Sequence, residues 1–353
     1  MKEVVIVSAA RTPFGKYGGG LKPLKAVELG GLAIAEALKR AKISGEQVDE
    51  VVFGTVLAAG QGQVPARQAS VKGGIPYTVP VVTINKVCGS ALKAVTLGAQ
   101  MIKAGDADVV VCGGMESMSN APYLVNEARW GARMNDIKMK DAMVLDGLWC
   151  PQNNVHMAVI GGAVAGEYGI TREMQDAWAL RSQQRWAAGE AKGAFDDERF
   201  PVEVPGKKGQ KTVVAKDEAP RPETTLEALS KLPPIFTPDN TVTAGNAPGT
   251  NDGASAGVTM SREKAQALGA PILATLKGYA QASREARYIA TVPGLAIQNL
   301  MEKTGLKLED VELMEVNEAF AAVPLVSCLG ILGMSQEEMD EKVNVNGGAG
   351  VFR

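Results

Sequence analysis

The chain opens on a β-branched run at residues 4–7. Over residues 24–41 it then places Val27, Leu29, Leu32, Ala33 and Leu38 at helical spacing. Val51, Val52 and Phe53 begin a second strand, and residues 81–87 form a third β-rich run. Ala91, Leu92, Val95, Ala99 and Ile102 trace one face of a helix, and residues 109–111 are an apolar strand leading into Cys112-Gly113-Gly114. This alternation predicts an α/β protein with a mainly parallel sheet covered by helices, because parallel neighbours need a crossover and a helix supplies it.

Residues 115–246 break the pattern. They hold most of the Met and Trp residues, two charged amphipathic stretches at 171–192 and 224–231, and a turn-rich stretch at 201–222. They read as a long insertion standing on the sheet, the kind of segment that carries substrate contacts. From Pro271 the first pattern returns. Laying residues 33–54 on 296–317 without a gap pairs Ala33 with Ala296, Ile34 with Ile297, Glu46 with Glu309 and Val48 with Val311. Each copy reads helix, polar turn, apolar strand, which predicts an internal duplication. The expected division is a first half at 1–262 with the insertion, and a second at 271–353.

Lys+Arg 37 against Asp+Glu 39 leaves a net charge of −2, so no basic field exists to hold nucleic acid or an anionic membrane. Glycine, about one residue in nine, implies many turns and close backbone approaches. Cys88, Cys112, Cys150 and Cys328 are widely spaced with no C-x-x-C pair, which points away from zinc and disulfides and toward a reducing, cytoplasmic setting. The N-terminal apolar run is too short for a signal-peptide core. Residues 319–336 contain Pro324 and read as a buried helix rather than a membrane span. With one histidine in the chain, His-rich metal sites and mechanisms needing two histidines are excluded. No metal and no nucleotide cofactor is expected, since the turn words GNAPG and NGG are neither Walker nor dinucleotide fingerprints.

Three places carry candidate chemistry. Cys88 follows a strand and precedes Gly89-Ser90 and a helix. Free N–H groups and the positive end of the helix dipole there are expected to favour the thiolate, the nucleophilic form. At an ordinary pKa near 8.5 only about 3% is ionised at pH 7, and lowering the pKa to 7 takes about 2 kcal/mol. The other reading is an inert buried cysteine. Asn317-Glu318-Ala319-Phe320 follows an apolar run at 311–316, where Asn317 either holds a water or carbonyl oxygen or caps a helix. His156, between a turn and a helix, is either a hydrogen-bonded structural residue or a ligand-facing one.

VSAARTPFGK, NKVCGSALKAV, GGMESMSNAPY, TAGNAPGTNDGA, EVNEAFA and NVNGGA occur in order over essentially the entire chain, and together they resemble the thiolase family. His156-Met157 makes the biosynthetic type, the acetyl-CoA acetyltransferases, the nearer likeness. The resemblance implies two duplicated βαβαβαββ halves in five αβαβα layers, with a loop domain inserted in the first. It implies a Cys88 acyl-thioester and an oxyanion hole that uses the Cys88 N–H. Asn317 would bind the other thioester oxygen through a water, with Glu318 in support. Leu148, His156, Met157, Ala319 and Phe320 would line the acyl and pantetheine pocket. Arg221, Phe236 and Ala244 would lie along coenzyme A, Arg221 near its adenine end. The implied reaction condenses two acetyl-CoA reversibly to acetoacetyl-CoA and CoA, with the thioester as substrate, no cofactor, and a homotetramer built as a dimer of dimers.

The sequence departs from that pattern after NVNGGA. The family continues through a Gly-His-Pro word, whose histidine activates the nucleophile, and a Cys-containing glycine loop, whose cysteine moves the α-proton. Neither word occurs here, so the second half is expected to be incomplete and acylation of Cys88 slow. The alternative expectation is a non-catalytic acyl-CoA-binding protein. Pro248 replaces the usual serine of the AGNAS word. Gly161-Gly162 should weaken the helix they enter by about 1 kcal/mol per glycine.

Overall fold

The computed structural model describes residues 2–206 and 209–348; the final word GVFR lies outside them. The chain forms two compact units. The first comprises Met1–Gly147, Asp196–Glu218 and Thr250–Lys277; the second Leu148–Phe195, Ala219–Gly249 and Gly278–Arg353. Residues 196–218, expected within the insertion, thus belong to the first unit.

In the first unit the long path of the sheet runs Ala274–Thr275, Val4–Arg11, Asn251–Ser261, Val109–Ser117, Glu50–Gly54, Val81–Ile84. The last three strands are mutually parallel, as the alternating pattern predicts. The sheet is nevertheless mixed, because Asn251–Ser261 lies antiparallel between Val4–Arg11 and Val109–Ser117. Sequence reasoning misses that central strand. Its inward positions Asp252, Ala254 and Ala256 are polar or small and alternate with Gly253, Ser255 and Gly257, so it lacks the β-branched signal while keeping the period of two. Val109–Ser117 also runs on past its glycines, so Met115 is a strand residue rather than the start of a loop.

The helix Ala26–Ala41 buries Val27, Leu29, Ala33, Ile34, Ala37 and Leu38 in the core that also holds Val51, Phe53, Val111 and Val258. It ends where Lys42 turns left-handed (φ 57°) and its N–H closes onto Leu38 and Lys39 carbonyls. Ser90–Ala104 turns Ala94, Ala99 and Ile102 inward.

In the second unit the stretch 171–192 is a helix, Arg172–Ala191, with Thr171 Oγ1 accepting from Met174 N. The apolar stretch 319–336 is buried but not one regular helix. Ala322–Leu325 opens into a wider π turn, Val326–Ile331, and a new helix, Gln336–Lys342, starts at the Ser335 cap. The run 311–316, expected as a strand, makes a single bridge among the described residues, Met314 with Val343. Its neighbour is one short segment. Met314 exchanges backbone bonds with Lys342 and Asn344, and the Asn344 side chain takes both backbone groups of Val316. A side-chain amide thus does locally what a ladder would do. Among the described residues no helix is long and apolar enough to cross a membrane.

Candidate active site

Cys88 sits on a tight elbow between Val81–Ile84 and the helix Ser90–Ala104. The strand stops short of the expected residue 87 because the backbone reverses there. Val87 lies at φ 48°, a left-handed conformation that costs a β-branched residue about 1–2 kcal/mol. Both its backbone groups are held. Val87 N donates to Asn85 Oδ1 (2.9 Å), and Ser90 Oγ donates to Val87 O (2.6 Å) while accepting from Lys86 N (2.8 Å). Gly54 leaves room for the elbow, since a Cβ there would stand 2.5 Å from Ser90 Cβ. The result is a presented thiol: Cys88 is exposed, whereas Cys112, Cys150 and Cys328 are buried.

The electrostatics run opposite to the expectation of a lowered pKa. Cys88 is exposed as a residue, yet desolvation of its sulfur pushes the thiol pKa up, its backbone N–H pulls the other way, and Glu116 adds to the rise. At rest Cys88 is therefore a thiol. Glu116 Oε2 accepts from Val56 N (2.7 Å), and Oε1 accepts from Leu57 N and Thr55 Oγ1 (3.2 Å each). Burial raises its own pKa against those donors, with Asp252 contributing in the same direction. Neither Glu116 nor Asn85 carries a role in the sequence reading. The available signal is a carboxylate at the end of an apolar strand, inside a word already singled out. Cys112 and Cys328 are pushed up to about 12 by burial, so neither can exchange protons near neutrality.

In the second unit, His156 is the N-cap of the helix Met157–Gly161, its Nδ1 accepting from Ala158 N at 3.1 Å. That bond leaves the proton on Nε2, and burial lowers the imidazole pKa, keeping the ring neutral. The ring lies 4.6 Å from that of Phe236, and Asn240 Nδ2 ties the loop after Phe236 to Ala158 O. At the other end of the same short helix, Gly161 meets the buried Phe320 ring. His156, Met157, Phe236 and Phe320 therefore gather around one helical turn. Leu148 directly precedes the two-residue strand Trp149–Cys150, which pairs with Val155–His156. Ala244 and Arg221 are exposed; Arg221 N donates to Gln183 Oε1 at 2.7 Å and its carbonyl accepts from Thr224 N at 3.0 Å.

Asn317 is exposed and caps nothing, because the next helix starts at Ala322. Glu318 beside it is buried and accepts from Trp178 Nε1, Asn344 Nδ2 and Ser182 Oγ. Burial raises its pKa while the three donors oppose the rise. Ala319, half-buried, leads into Ala321, whose N–H donates to Asn246 O at 3.0 Å. Asn246 itself is anchored to Asp176 through its side-chain amide. Among the described residues no group of three or more His, Cys, Asp or Glu is placed to hold a metal ion.

Residues 4–263 match the family described as "Thiolase, N-terminal domain" and residues 270–351 that described as "Thiolase, C-terminal domain". The chain belongs to the thiolase family. Within it, the chain is 48% identical over 349 residues to an acetyl-CoA acetyltransferase of Pseudomonas aeruginosa, covering 99% of this chain and 88% of that protein. A Cupriavidus necator protein of the same name gives the same figures. A probable acetyl-CoA acyltransferase of Staphylococcus aureus is 43% identical with the same coverage. This thiolase accordingly has the thiolase fold, with its exposed cysteine on the strand-to-helix elbow of the N-terminal region.

Proposed function

We propose that this thiolase is an acetyl-CoA C-acetyltransferase, condensing two acetyl-CoA reversibly to acetoacetyl-CoA and CoA. The reading rests on 48% identity over 349 residues to relatives that bear that name. In the first half-reaction, Cys88 Sγ attacks the acetyl carbonyl carbon. The C–S bond to CoA breaks, and CoA leaves as a thiol with the proton. The Cys88 N–H, at the positive end of the following helix, would stabilise the tetrahedral oxyanion. In the second, the α-carbon of another acetyl-CoA gives up a proton and attacks the acyl carbonyl; the C–S bond to Cys88 breaks, and Cys88 returns to the thiol as a proton is taken up in place of the one lost.

Asn317, exposed and uncommitted to a helix cap, would bind the second thioester's oxygen through a water, and Glu318 would hold that segment still. Leu148, His156, Met157, Ala319 and Phe320 would line the acyl and pantetheine pocket, with Arg221, Phe236 and Ala244 along the CoA. A neutral His156 suits an uncharged acyl chain. The same reading places the protein in the cytoplasm and divides it at 1–262 and 271–353, with the inserted loop at about 115–246. A tetramer fits the exposed Trp130 (85%) and Met134 (86%), which a partner copy would cover.

His156 is the sole histidine of the 353 residues, and its Nδ1 is engaged by Ala158. A resting thiol must ionise before it attacks, so acylation of Cys88 is expected to quicken as the pH rises. Incubation with acetyl-CoA followed by intact mass and peptide mapping tests the reading. One acetyl group on Cys88, accumulating faster at pH 9 than at pH 7 and absent from Cys88→Ser, is the expected result. Label on Cys112 or Cys328 in that variant, or no label at pH 9, overturns it; the latter leaves acyl-CoA binding without chemistry.

A further inference from the structure

Glu116 stands outside the residues to which the thiolase reading gives roles, yet its bonds lead to the nucleophile. Its carboxylate takes the Thr55 hydroxyl and the Val56 and Leu57 N–H groups, gathering the turn that follows the strand Glu50–Gly54. Gln61 Nε2 braces the same turn from outside, donating to Leu57 O (2.6 Å) and Thr55 Oγ1 (3.3 Å). From this turn Val56 O accepts from Asn85 Nδ2 (3.4 Å), and the other end of that amide, Oδ1, accepts from Val87 N (2.9 Å). Val87 is the left-handed residue directly before Cys88. An unbroken run of hydrogen bonds thus joins the Glu116 carboxylate, the 55–57 turn, Asn85 and the elbow.

We propose that Glu116 is a positioning residue for the Cys88 nucleophile, acting through the 55–57 turn and Asn85. The bonds of Glu116 and its charge separate chemically. The bonds to the turn need two acceptor oxygens, and the effect on Cys88 needs negative charge, which disfavours a thiolate nearby. Glu116 on one strand and Asp252 on the next form the acidic side of this neighbourhood. The inference rests on Cys88 being the nucleophile, but its primary test needs no acyl-CoA.

The test is the pH profile of Cys88 alkylation by iodoacetamide in the full chain, read by peptide mapping, alongside Cys88 acetylation by acetyl-CoA. Glu116→Gln is expected to move the alkylation midpoint down by at least about half a pH unit. Glu116→Asp keeps the charge but falls one methylene short of the turn. It is expected to keep the midpoint and lower the acetylation rate at least about fivefold. Asn85→Ala is expected to do the same. A midpoint unchanged in Glu116→Gln with an unchanged circular dichroism spectrum overturns the electrostatic role. Wild-type acetylation in both Glu116→Asp and Asn85→Ala overturns the positioning role. Should Glu116→Gln not fold, Glu116→Asp and Asn85→Ala carry the test through their acetylation rates. If the wild-type chain takes no acetyl group, the functional reading fails, and the rate of Cys88 alkylation in Glu116→Asp and Asn85→Ala still decides this one: lowered in both supports it, unchanged in both overturns it.

Discussion

Trp178 Nε1 donates to Glu318 Oε1 at 2.9 Å across 140 residues of sequence, and both side chains are all but fully buried. Asn344 Nδ2 reaches the same oxygen at 2.9 Å, and Ser182 Oγ reaches Oε2 at 2.7 Å while accepting from Gly348 N. One carboxylate therefore joins the helix Arg172–Ala191, the segment after Val316 and the turn at 344–348. A buried acid is tolerated because each oxygen has a donor.

Removing that acceptor strands three donors. Glu318→Ala is expected to destabilise the protein by about 3 kcal/mol or more, and Glu318→Gln, which retains one acceptor oxygen, by about 1–3 kcal/mol. Urea denaturation checks the order. A Glu318→Gln variant as unstable as Glu318→Ala would mean that the charge, not the bonding pattern, matters.

Gly348 faces this carboxylate so closely that a Cβ would stand 1.9 Å from Glu318 Oε2. Since three donors hold the carboxylate, it cannot swing away cheaply. Gly348→Ala is expected to cost about 3 kcal/mol, and Gly348→Ala in a Glu318→Ala background markedly less, because the clash is then gone. The double-mutant cycle measures this coupling.

Gly161 is expected to weaken its helix by propensity, but its setting reverses that argument. A Cβ would meet the Phe320 ring at 2.2 Å. Gly161→Ala, favourable in an exposed helix by about 1 kcal/mol, is here expected to destabilise by about 1–3 kcal/mol. Thermal melting reads the sign directly, and a raised Tm would show that the ring moves aside freely.

Asp217 governs the acid response of the first unit. Burial alone would raise its pKa, but Arg11 in particular, with Phe14 N and Arg199, holds it below the usual aspartate range. The Arg11 contact is bidentate at 2.8 and 3.1 Å. A depressed folded-state pKa contributes stability that is present above the unfolded value near 3.9 and lost as pH falls through the folded one. Asp217→Asn is expected to cost about 3 kcal/mol at pH 7 and progressively less below about pH 4. Denaturation midpoints at pH 7 and pH 3 check this, and a cost independent of pH would contradict it.

Much of the first unit was legible because its elements declare themselves locally. The helix at 26–41 shows its buried stripe, and the strand at 109–111 its apolar run. The central strand Asn251–Ser261 was not legible. Small residues suit it only because strands pass on both sides, a fact that no local pattern contains. The run 311–316 errs the other way: its apolar residues read as a strand, but a strand exists only where ladder partners line up, and here one bridge forms.

For the site, sequence alone determined the family, through words whose order and spacing are specific, and it singled out Cys88 among four cysteines as the residue to propose. Tertiary structure decided what those residues experience. The helix N-terminus argues for a thiolate at Cys88, yet desolvation and Glu116 outweigh it. Glu318 is an unremarkable acid in the chain and becomes a buried junction only when Trp178, Ser182 and Asn344 converge on it. Burial and charge are sums over neighbours distant in sequence, so they come into being only with the fold.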